Sequence, residues 1–206
     1  YNADGTWAGP VGQASWVGDI ANPIGKATLN SNVTKGYNIL GNIWGEVKLL
    51  NNLKFKTTAG VQASFWDTKN WAPAYNWAPI PQEMSYLGQS YNKSFTYLWD
   101  NYFTYDTYLG DDHKINLMVG SSAQTNRFDF MNGSIQQFAS DLTQQLSSGT
   151  LLPTVGGNAS EWALLSGMGR VNYAFRDKIL VTATVRRDGS SRFGKNNRWG
   201  TFPSAS

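Results

Sequence analysis

The side chains that could do acid–base, nucleophilic or metal chemistry are few and scattered. His113 is the only histidine of the 206 residues, and the chain has no cysteine, so a zinc site would lack most of its usual ligands. The 14 carboxylates could in principle include a glycosidase pair, which needs two of them facing each other across a bond. Several lie instead in predicted turns or at strand ends: Asp111, Asp112, Asp177 and Asp188. The sequence therefore predicts no enzyme, no metal site and no cofactor site.

A denser group of charges surrounds Asp188. Four arginines lie near it in the sequence: Arg186, Arg187, Arg192 and Arg198. Guanidinium groups bind carboxylates and phosphates through paired hydrogen bonds, so these cations could recognise an anionic substrate. They could instead form ion pairs that hold a loop to the end of a strand, with Gly189 and Gly194 supplying unusual backbone angles.

A second candidate site is the aromatic segment 67–92, which contains Trp71, Tyr75 and Trp77 among three prolines. Aromatic faces stack on sugar rings and anchor protein interfaces. They also pack against the prolines of their own loop, so the sequence leaves binding and structural roles equally open.

The elements that must position these groups follow a period of two. In 166–186, residues such as Val171, Tyr173 and Val181 fall on one face, whereas Asn172 and Thr184 fall on the other. This alternation indicates strands, because successive side chains of a strand point to opposite faces. The same pattern predicts three strand pairs, with short turns near Asn51, Asp111 and Asp177 and a seventh strand beginning at Gly200.

Long segments separate the strand pairs. Residues 1–34, 67–92 and 127–160 are rich in loop-forming residues and are predicted to be loops. Within the third, Ile135, Phe138 and Leu142 have helical spacing, with Ser134 as a plausible N-cap and Gly149 as a stop. A short amphipathic helix is therefore expected there.

Short turns on one side and long loops on the other are typical of a transmembrane β-barrel. The predicted fold is all-β: an antiparallel barrel segment of roughly six to seven strands, which is too few to close, since bacterial barrels have at least about eight. The chain is therefore expected to be a fragment of a barrel domain. The alternative from another class is a secreted, soluble β-sandwich that acts as a carbohydrate-binding module, which the aromatic loop and the low charge of 15% would also fit.

Composition excludes some partners and leaves the membrane open. The net charge of +3 is small and scattered, with no basic stripe for nucleic acid. No apolar run approaches the roughly 20 residues of a membrane helix, but barrel strands carry their signal in alternation instead.

The C-terminal segment resembles the signature of SusC/RagA-type TonB-linked outer-membrane transporters. Upstream segments that fit the same family are Gly41-Asn42, 53–56, Gly60, 169–173 and Asp177-Lys178. The residues that carry the signature are Arg187, Asp188, Gly189, Ser190, Ser191, Arg192, Phe193, Gly194, Asn197, Arg198, Trp199, Gly200, Phe202, Pro203 and Ser204.

This resemblance implies a bacterial outer-membrane importer of oligosaccharides or peptides. It implies a SusD-like lipoprotein over the extracellular mouth, and TonB acting on an N-terminal plug that this chain lacks. A motif shared by transporters of different substrates favours the structural interpretation of Asp188: an ionised carboxylate bound to at least one arginine at a strand-to-loop corner. The aromatic loop 67–92 is expected on the extracellular side, in contact with the lipoprotein or the substrate.

The alternation also predicts which side chains face lipid and which face the lumen. The lipid-facing set is Ile39, Val61, Val119, Val171, Val181 and Val185. The lumen-facing set is Lys56, Gln62, Asn116, Asn172 and Thr184.

Overall fold

A computed structural model describes residues 22–78 and 81–206, together with Ala3, Gly5 and Trp7. One α-helix and seven strands lie in this part of the chain. They are α1 (Pro23–Leu29), β1 (Ser31–Leu50), β2 (Leu53–Ala72), β3 (Tyr86–Leu109), β4 (His113–Phe138), β5 (Gly149–Phe175), β6 (Ile179–Ser190) and β7 (Trp199–Ala205). Two 3₁₀ helices, Leu146–Ser148 and Lys195–Asn197, interrupt the connections that follow β4 and β6.

The seven strands form one sheet in the order β1-β2-β3-β4-β5-β6-β7, so each strand pairs with its neighbours in the chain. In the antiparallel pair β5–β6, Phe175 lies opposite Ile179 and Gly169 opposite Val185. In the antiparallel pair β6–β7, Gly189 lies opposite Trp199. The predicted all-β, antiparallel fold is confirmed, and the sheet formed by these strands is not closed. A sandwich would need two packed sheets, whereas the described strands form one.

The three short turns lie where the sequence predicts them. Residues 51–52 join β1 to β2, residues 110–112 join β3 to β4, and residues 176–178 join β5 to β6. In the third turn both Arg176 (φ 50°) and Asp177 (φ 54°) are left-handed. Two successive left-handed residues give the turn a twist that matches the twist of the flanking strands, which keeps the pair in register.

The long loops are shorter than predicted, because the strands continue further than the alternation suggested. The loop predicted over 67–92 spans 73–85, and the one predicted over 127–160 spans 139–148. In the predicted loop 1–34, β1 already begins at Ser31. Much of that first loop lies outside the described residues.

Helix α1 was not predicted from sequence, although its start has a recognisable signal. Asn22 caps it: the Asn22 Oδ1 atom accepts hydrogen bonds from the backbone N–H groups of Ile24 (3.0 Å) and Gly25 (3.2 Å). Pro23 occupies the first helical position. A backbone N–H there has no partner within the helix, so proline, which lacks one, loses no hydrogen bond.

The helix expected between Ser134 and Gly149 is wrong. Strand β4 runs on to Phe138, and β5 begins at Gly149. The Ser134 hydroxyl lies 2.6 Å from the Thr154 hydroxyl on β5, and the Phe138 ring packs edge-on against Trp71 at 4.9 Å. Contacts with neighbouring strands therefore overrode a local apolar spacing that also suits a helix.

Packing divides the chain into two compact units. Unit 1 comprises Tyr1–Tyr37, Phe65–Lys93 and Asp129–Ala159, and unit 2 comprises Asn38–Ser64, Ser94–Phe128 and Ser160–Ser206. Among the described residues of unit 1, the buried apolar side chains are Trp71, Trp77, Ala78 and Leu87. In unit 2 many strand residues are apolar and exposed, including Val119, Val171, Val181 and Val185. No helix in the described part of the chain is long and apolar enough to cross a membrane.

Candidate functional site

The first candidate site is the aromatic connection of unit 1, where two of the three predicted side chains are buried. Trp71 is 4% exposed at the end of β2 and packs against Phe138 on β4. Trp77 is 9% exposed, and its ring lies so close to Gly25 of α1 that a Cβ there would come within 2.8 Å of it. Neither indole presents a free face to a ligand, so both serve packing.

Tyr75 is the half-buried member of this group. Its ring stacks on Trp77 with centroids 4.7 Å apart. Its backbone forms a two-way bridge with Gln82, through Tyr75 N–H to Gln82 O at 2.8 Å and Gln82 N–H to Tyr75 O at 2.9 Å. This bridge fixes the connection 73–85 as a short hairpin-like loop. Tyr75 is therefore the ring of the three that remains available for contact.

Ser85 joins this connection to the end of β4, and no feature of the sequence predicts that role. Ser85 is buried, and its hydroxyl accepts a hydrogen bond from the Phe138 N–H at 3.0 Å. Its carbonyl accepts another from the N–H of Gln137, a left-handed residue with φ 59°. Nearby, the Lys69 ammonium donates to the Gln144 carbonyl at 2.9 Å. Directed hydrogen bonds therefore tie the loop 139–148 to β2 and the connection 73–85 to the end of β4.

The second candidate site is the motif in unit 2, which centres on Asp188. The Arg186 Nε donates to an Asp188 carboxylate oxygen at 2.7 Å, and the same guanidinium donates to the Ser166 hydroxyl at 3.1 Å. The expected arginine partner is therefore present. The expected corner is wrong: β6 continues to Ser190, so Asp188 lies within the strand, opposite Ser166 and Gly200.

The other three arginines make separate contacts and do not join Asp188 in a network. The Arg187 guanidinium lies 5.4 Å from the centre of the Trp199 ring, and that of Arg192 lies 5.8 Å from the Trp162 ring. Arg198 donates from Nε to the Phe193 carbonyl at 3.2 Å. Arg187 therefore connects β6 to β7, whereas Arg192 and Arg198 hold the segment between these strands, and none of these contacts resembles an assembled anion site.

Glycines of the motif leave room for aromatic rings, once across two strands and once within β7. Gly189 lies opposite Trp199, and a Cβ on Gly189 would lie 2.9 Å from three atoms of the indole. Within β7 itself, a Cβ on Gly200 would lie 2.9 Å from the ring of Phe202, two residues further along the strand. The missing side chains are what allow these rings to lie flat on the sheet.

The serines of the motif attach the segment after β6 to β5. Ser191 N–H donates to the Ala163 carbonyl at 2.9 Å, and the Ser191 hydroxyl accepts from the Ala163 N–H at 2.8 Å. The Ser190 hydroxyl accepts from the Arg192 N–H at 3.3 Å. Further on, Asn197 N–H donates to the Gly194 carbonyl at 2.9 Å. Pro203 and Ser204 continue into β7, opposite Val185 and Thr184.

A row of polar side chains crosses four strands of unit 2. The Asn116 amide donates to the Asp106 carboxylate at 2.8 Å, and the Asn172 amide donates to the Asn116 amide oxygen at 3.0 Å. The Thr182 hydroxyl then donates to the Asn172 amide oxygen at 3.0 Å. This polar row, Asp106–Asn116–Asn172–Thr182, includes two residues that were assigned to the lumen. The hydrogen bonds between them could not be read from spacing alone.

Trp44 of β1 is an exposed aromatic side chain that contacts a lysine of unit 2. The Lys56 ammonium lies 4.9 Å from the centre of the Trp44 ring. Such a cation–π contact lets a large ring occupy a polar face without an apolar neighbour.

The single histidine is engaged in a structural contact. The Nδ1 atom of His113 lies 2.7 Å from the Tyr173 hydroxyl, and its ring packs against Phe175 with centroids 5.0 Å apart. Within the residues that the structure describes, no cluster of histidine and carboxylate side chains could hold a metal ion.

Comparisons with known proteins give matches in sequence and in fold, although no family model matches the chain. The TonB-dependent receptor P39 of Formosa agariphila is 30% identical over 184 residues, covering 88% of this chain and 18% of that protein. The TonB-dependent receptor SusC of Bacteroides thetaiotaomicron is 56% identical over 46 residues, covering 22% of this chain and 5% of SusC. A solved structure of the RagAB peptide transporter matches with a TM-score of 0.79 at 23% identity, covering 87% of this chain and 20% of that one.

The chain thus spans about a fifth of the length of its curated relative P39 and of the matched RagAB chain. At 23% identity the structural match concerns the fold, which is that of a piece of β-barrel wall. The resemblance that the motif predicts is confirmed by the names of these relatives.

Proposed function

We propose, from the confirmed likeness to SusC/RagA-type TonB-linked transporters, that this chain forms part of the barrel wall of a bacterial outer-membrane importer. The observation that carries the proposal is the contrast between the two faces of unit 2. One face holds the hydrogen-bonded polar row Asp106–Asn116–Asn172–Thr182. Apolar side chains such as Val119 and Val181 stay exposed. A barrel wall needs this contrast, because one face meets lipid and the other meets water.

The cargo is an oligosaccharide or a peptide. RagAB is described as a peptide transporter, which supports the peptide, whereas the likeness to SusC supports the oligosaccharide only through the family resemblance. No covalent chemistry is required of this part of the wall. Its polar side chains line a water-filled lumen. Pairing between neighbouring strands satisfies the hydrogen bonds of the backbone N–H and C=O groups.

Partners follow from the same likeness. A SusD-like lipoprotein closes the extracellular mouth, and TonB acts through a plug outside this chain. The connection 73–85 is the proposed contact for the lipoprotein or the cargo. Its half-buried Tyr75 is held in place by Trp77 and by the bridge to Gln82, so little conformational entropy is lost on binding.

Fractionation of cells that express the full-length protein tests the location. We expect it in the outer-membrane fraction, to be extracted only with detergent, and to migrate faster on gels before boiling than after. A protein recovered in the soluble fraction would contradict the barrel and favour a soluble carbohydrate-binding module.

Growth of a deletion strain tests the cargo. Cells without the gene should fail to grow on one class of sole nutrient, either oligosaccharides or peptides, and should recover when the gene is restored. Unchanged growth and uptake with both classes would rule out an importer of either.

A further inference from the structure

Unit 1 contains a hollow of about 650 Å³, and no residue of the aromatic connection 73–85 lines it. Four strands contribute large side chains to its wall, among them Tyr37, Phe65, Tyr91 and Met131. Its volume lies within the range of about 300–1,000 Å³ that is common for small-molecule sites.

The rings in this hollow are unusually accessible. Tyr37 is 68% exposed, Tyr91 52% and Phe65 36%, although each is large and flat. Gly157 and Ala159 of β5 also line the hollow, and their small size keeps it open. A Cβ on Gly157 would lie only 3.0 Å from the Phe130 carbonyl, so that position has little room for a side chain.

Charged groups complete the wall. The Lys93 ammonium and an Asp129 carboxylate oxygen form a loose ion pair at 3.8 Å, and both side chains line the hollow. Asp67 is half-buried and has no hydrogen-bond or ion-pair partner among the described residues. Its carboxylate oxygens can accept hydrogen bonds from a ligand in the hollow.

We propose that this hollow, lined by Tyr37, Phe65, Tyr91, Asp67, Lys93 and Asp129, binds a saccharide. A pyranose ring has an apolar C–H face, which matches exposed aromatic rings, and a rim of hydroxyls, which both donate and accept hydrogen bonds. The carboxylates accept from such hydroxyls and Lys93 donates to them. A hydrocarbon chain would match the rings but would leave three charged groups in an apolar contact.

The source of the saccharide follows from the side of the strand on which the hollow lies, and this step rests on the proposed function. On β1, Tyr37 alternates in step with Ile39, so both side chains leave the same face of the strand as the residues predicted to face lipid. Lys93 and two aspartates on such a face are unfavourable in hydrocarbon and require a position beyond it. The saccharide that surrounds an outer-membrane barrel at that level is the sugar portion of the outer-leaflet glycolipid.

Binding to the purified full-length protein in detergent tests the assignment. The probes are lipopolysaccharide from the source organism, the oligosaccharide released from it by mild acid, and the lipid A that remains. We expect the first two to bind and lipid A not to bind. Replacing Tyr91→Ala should weaken binding by about tenfold, the scale of one lost aromatic contact, whereas Tyr91→Phe should keep it.

Tyr108→Ala is the matched control, because Tyr108 is an exposed tyrosine of unit 2 outside the hollow and its loss should change nothing. Equal binding of lipid A, or no effect of Tyr91→Ala, would overturn the proposal. A smaller oligomer of Tyr91→Ala in native mass spectrometry would overturn it in favour of a second copy. Binding of maltohexaose but not of the released oligosaccharide would overturn the glycolipid source.

The two proposals fail separately. A protein absent from the outer-membrane fraction defeats the importer, whatever the hollow binds. A protein that folds and imports normally but binds no released oligosaccharide defeats only the saccharide site.

Discussion

The indole ring of Trp199 lies flat over Gly189, its register partner on the neighbouring strand, in the space that a side chain at Gly189 would occupy. The Arg187 guanidinium lies 5.4 Å from the centre of the same ring. The spacing of these three motif residues is therefore explained by a contact across β6 and β7. It fixes the register of the pair, because a slip by one residue would move the indole away from the glycine.

Gly189→Ala should destabilise this strand pair. The added methyl would overlap the indole, and overpacking of this kind costs about 1–3 kcal/mol of unfolding free energy. Gly167→Ala is the matched control, since a Cβ there meets nothing within 4 Å. Urea titration of the refolded full-length protein, followed by tryptophan fluorescence, gives the comparison. Equal midpoints for the two variants would contradict the role of the contact.

Asn172→Leu should interrupt the polar row at its centre. The change removes hydrogen bonds to Asn116 and Thr182, and leaving such partners unsatisfied costs about 1–3 kcal/mol. Thr184→Val, two residues further along β6 and outside the row, should cost less. A double-mutant cycle on Asn116 and Asn172 measures their coupling. A coupling of zero would mean that water replaces the bond at no cost.

Asp188→Asn should have a small effect and Arg186→Met a larger one. An exposed ion pair contributes about 0–1 kcal/mol, so the loss of its charge should leave the migration of unheated protein on gels unchanged. Arg186 also serves the buried Ser166, whose hydroxyl would lose a partner in Arg186→Met. We expect protease cutting within 191–198 to increase slightly in the first variant and clearly in the second. The reverse order would show that the carboxylate dominates.

Trp77→Ala should loosen the connection 73–85. The indole packs on Tyr75, Trp7 and Gly25, and removal of a nearly buried tryptophan costs about 3–5 kcal/mol where the site cannot collapse. Limited proteolysis with mass spectrometry should detect new cuts in this loop, while Tyr75→Phe, which keeps its ring, should show none. An unchanged cutting pattern in Trp77→Ala would contradict the packing role of the indole and favour a role in binding.

The facing of β6 can be tested residue by residue. Spin labels at Val181 and Val185 should be accessible to a lipid-soluble quencher, and labels at Thr182 and Thr184 to a water-soluble one. Arginine at Val181 should cost about 2–4 kcal/mol near the middle of a bilayer and much less at Thr182. Labels without a two-residue alternation would contradict the assignment of this strand to a barrel wall.

The fold was predictable because period-two alternation and turn chemistry are local properties. The turn at 176–178 and the alternation of Val171, Val181 and Val185 identified the β5–β6 pair without any knowledge of its neighbours. Strand ends were less predictable, because they depend on pairing partners. Residues 67–72 and 186–190 lack a clean alternation of apolar and polar side chains. They nevertheless belong to β2 and β6, because they pair with the adjacent strands.

The candidate sites show the same division. The partner of Asp188 could be expected from nearby arginines, but the choice of Arg186 depends on its strand geometry, which gives both side chains the same face. The burial of Trp71 could not be foreseen, because its partner Phe138 lies 67 positions away in a segment that was expected to be helical. The hydrogen bonds between Ser85 and the end of β4 depend on the left-handed backbone of Gln137. Glutamine rarely adopts that conformation, so the sequence does not predict it.

The strand order has a consequence for how the wall assembles. Every strand pairs with the one before it, and the three turns contain only two or three residues, so each strand lies beside the segment that precedes it in the chain. Closing a turn of two or three residues loses little loop entropy, so pairing can begin at each turn and extend along the strands. Such a wall can form strand by strand, because each completed hairpin presents a free edge with which the next strand can pair.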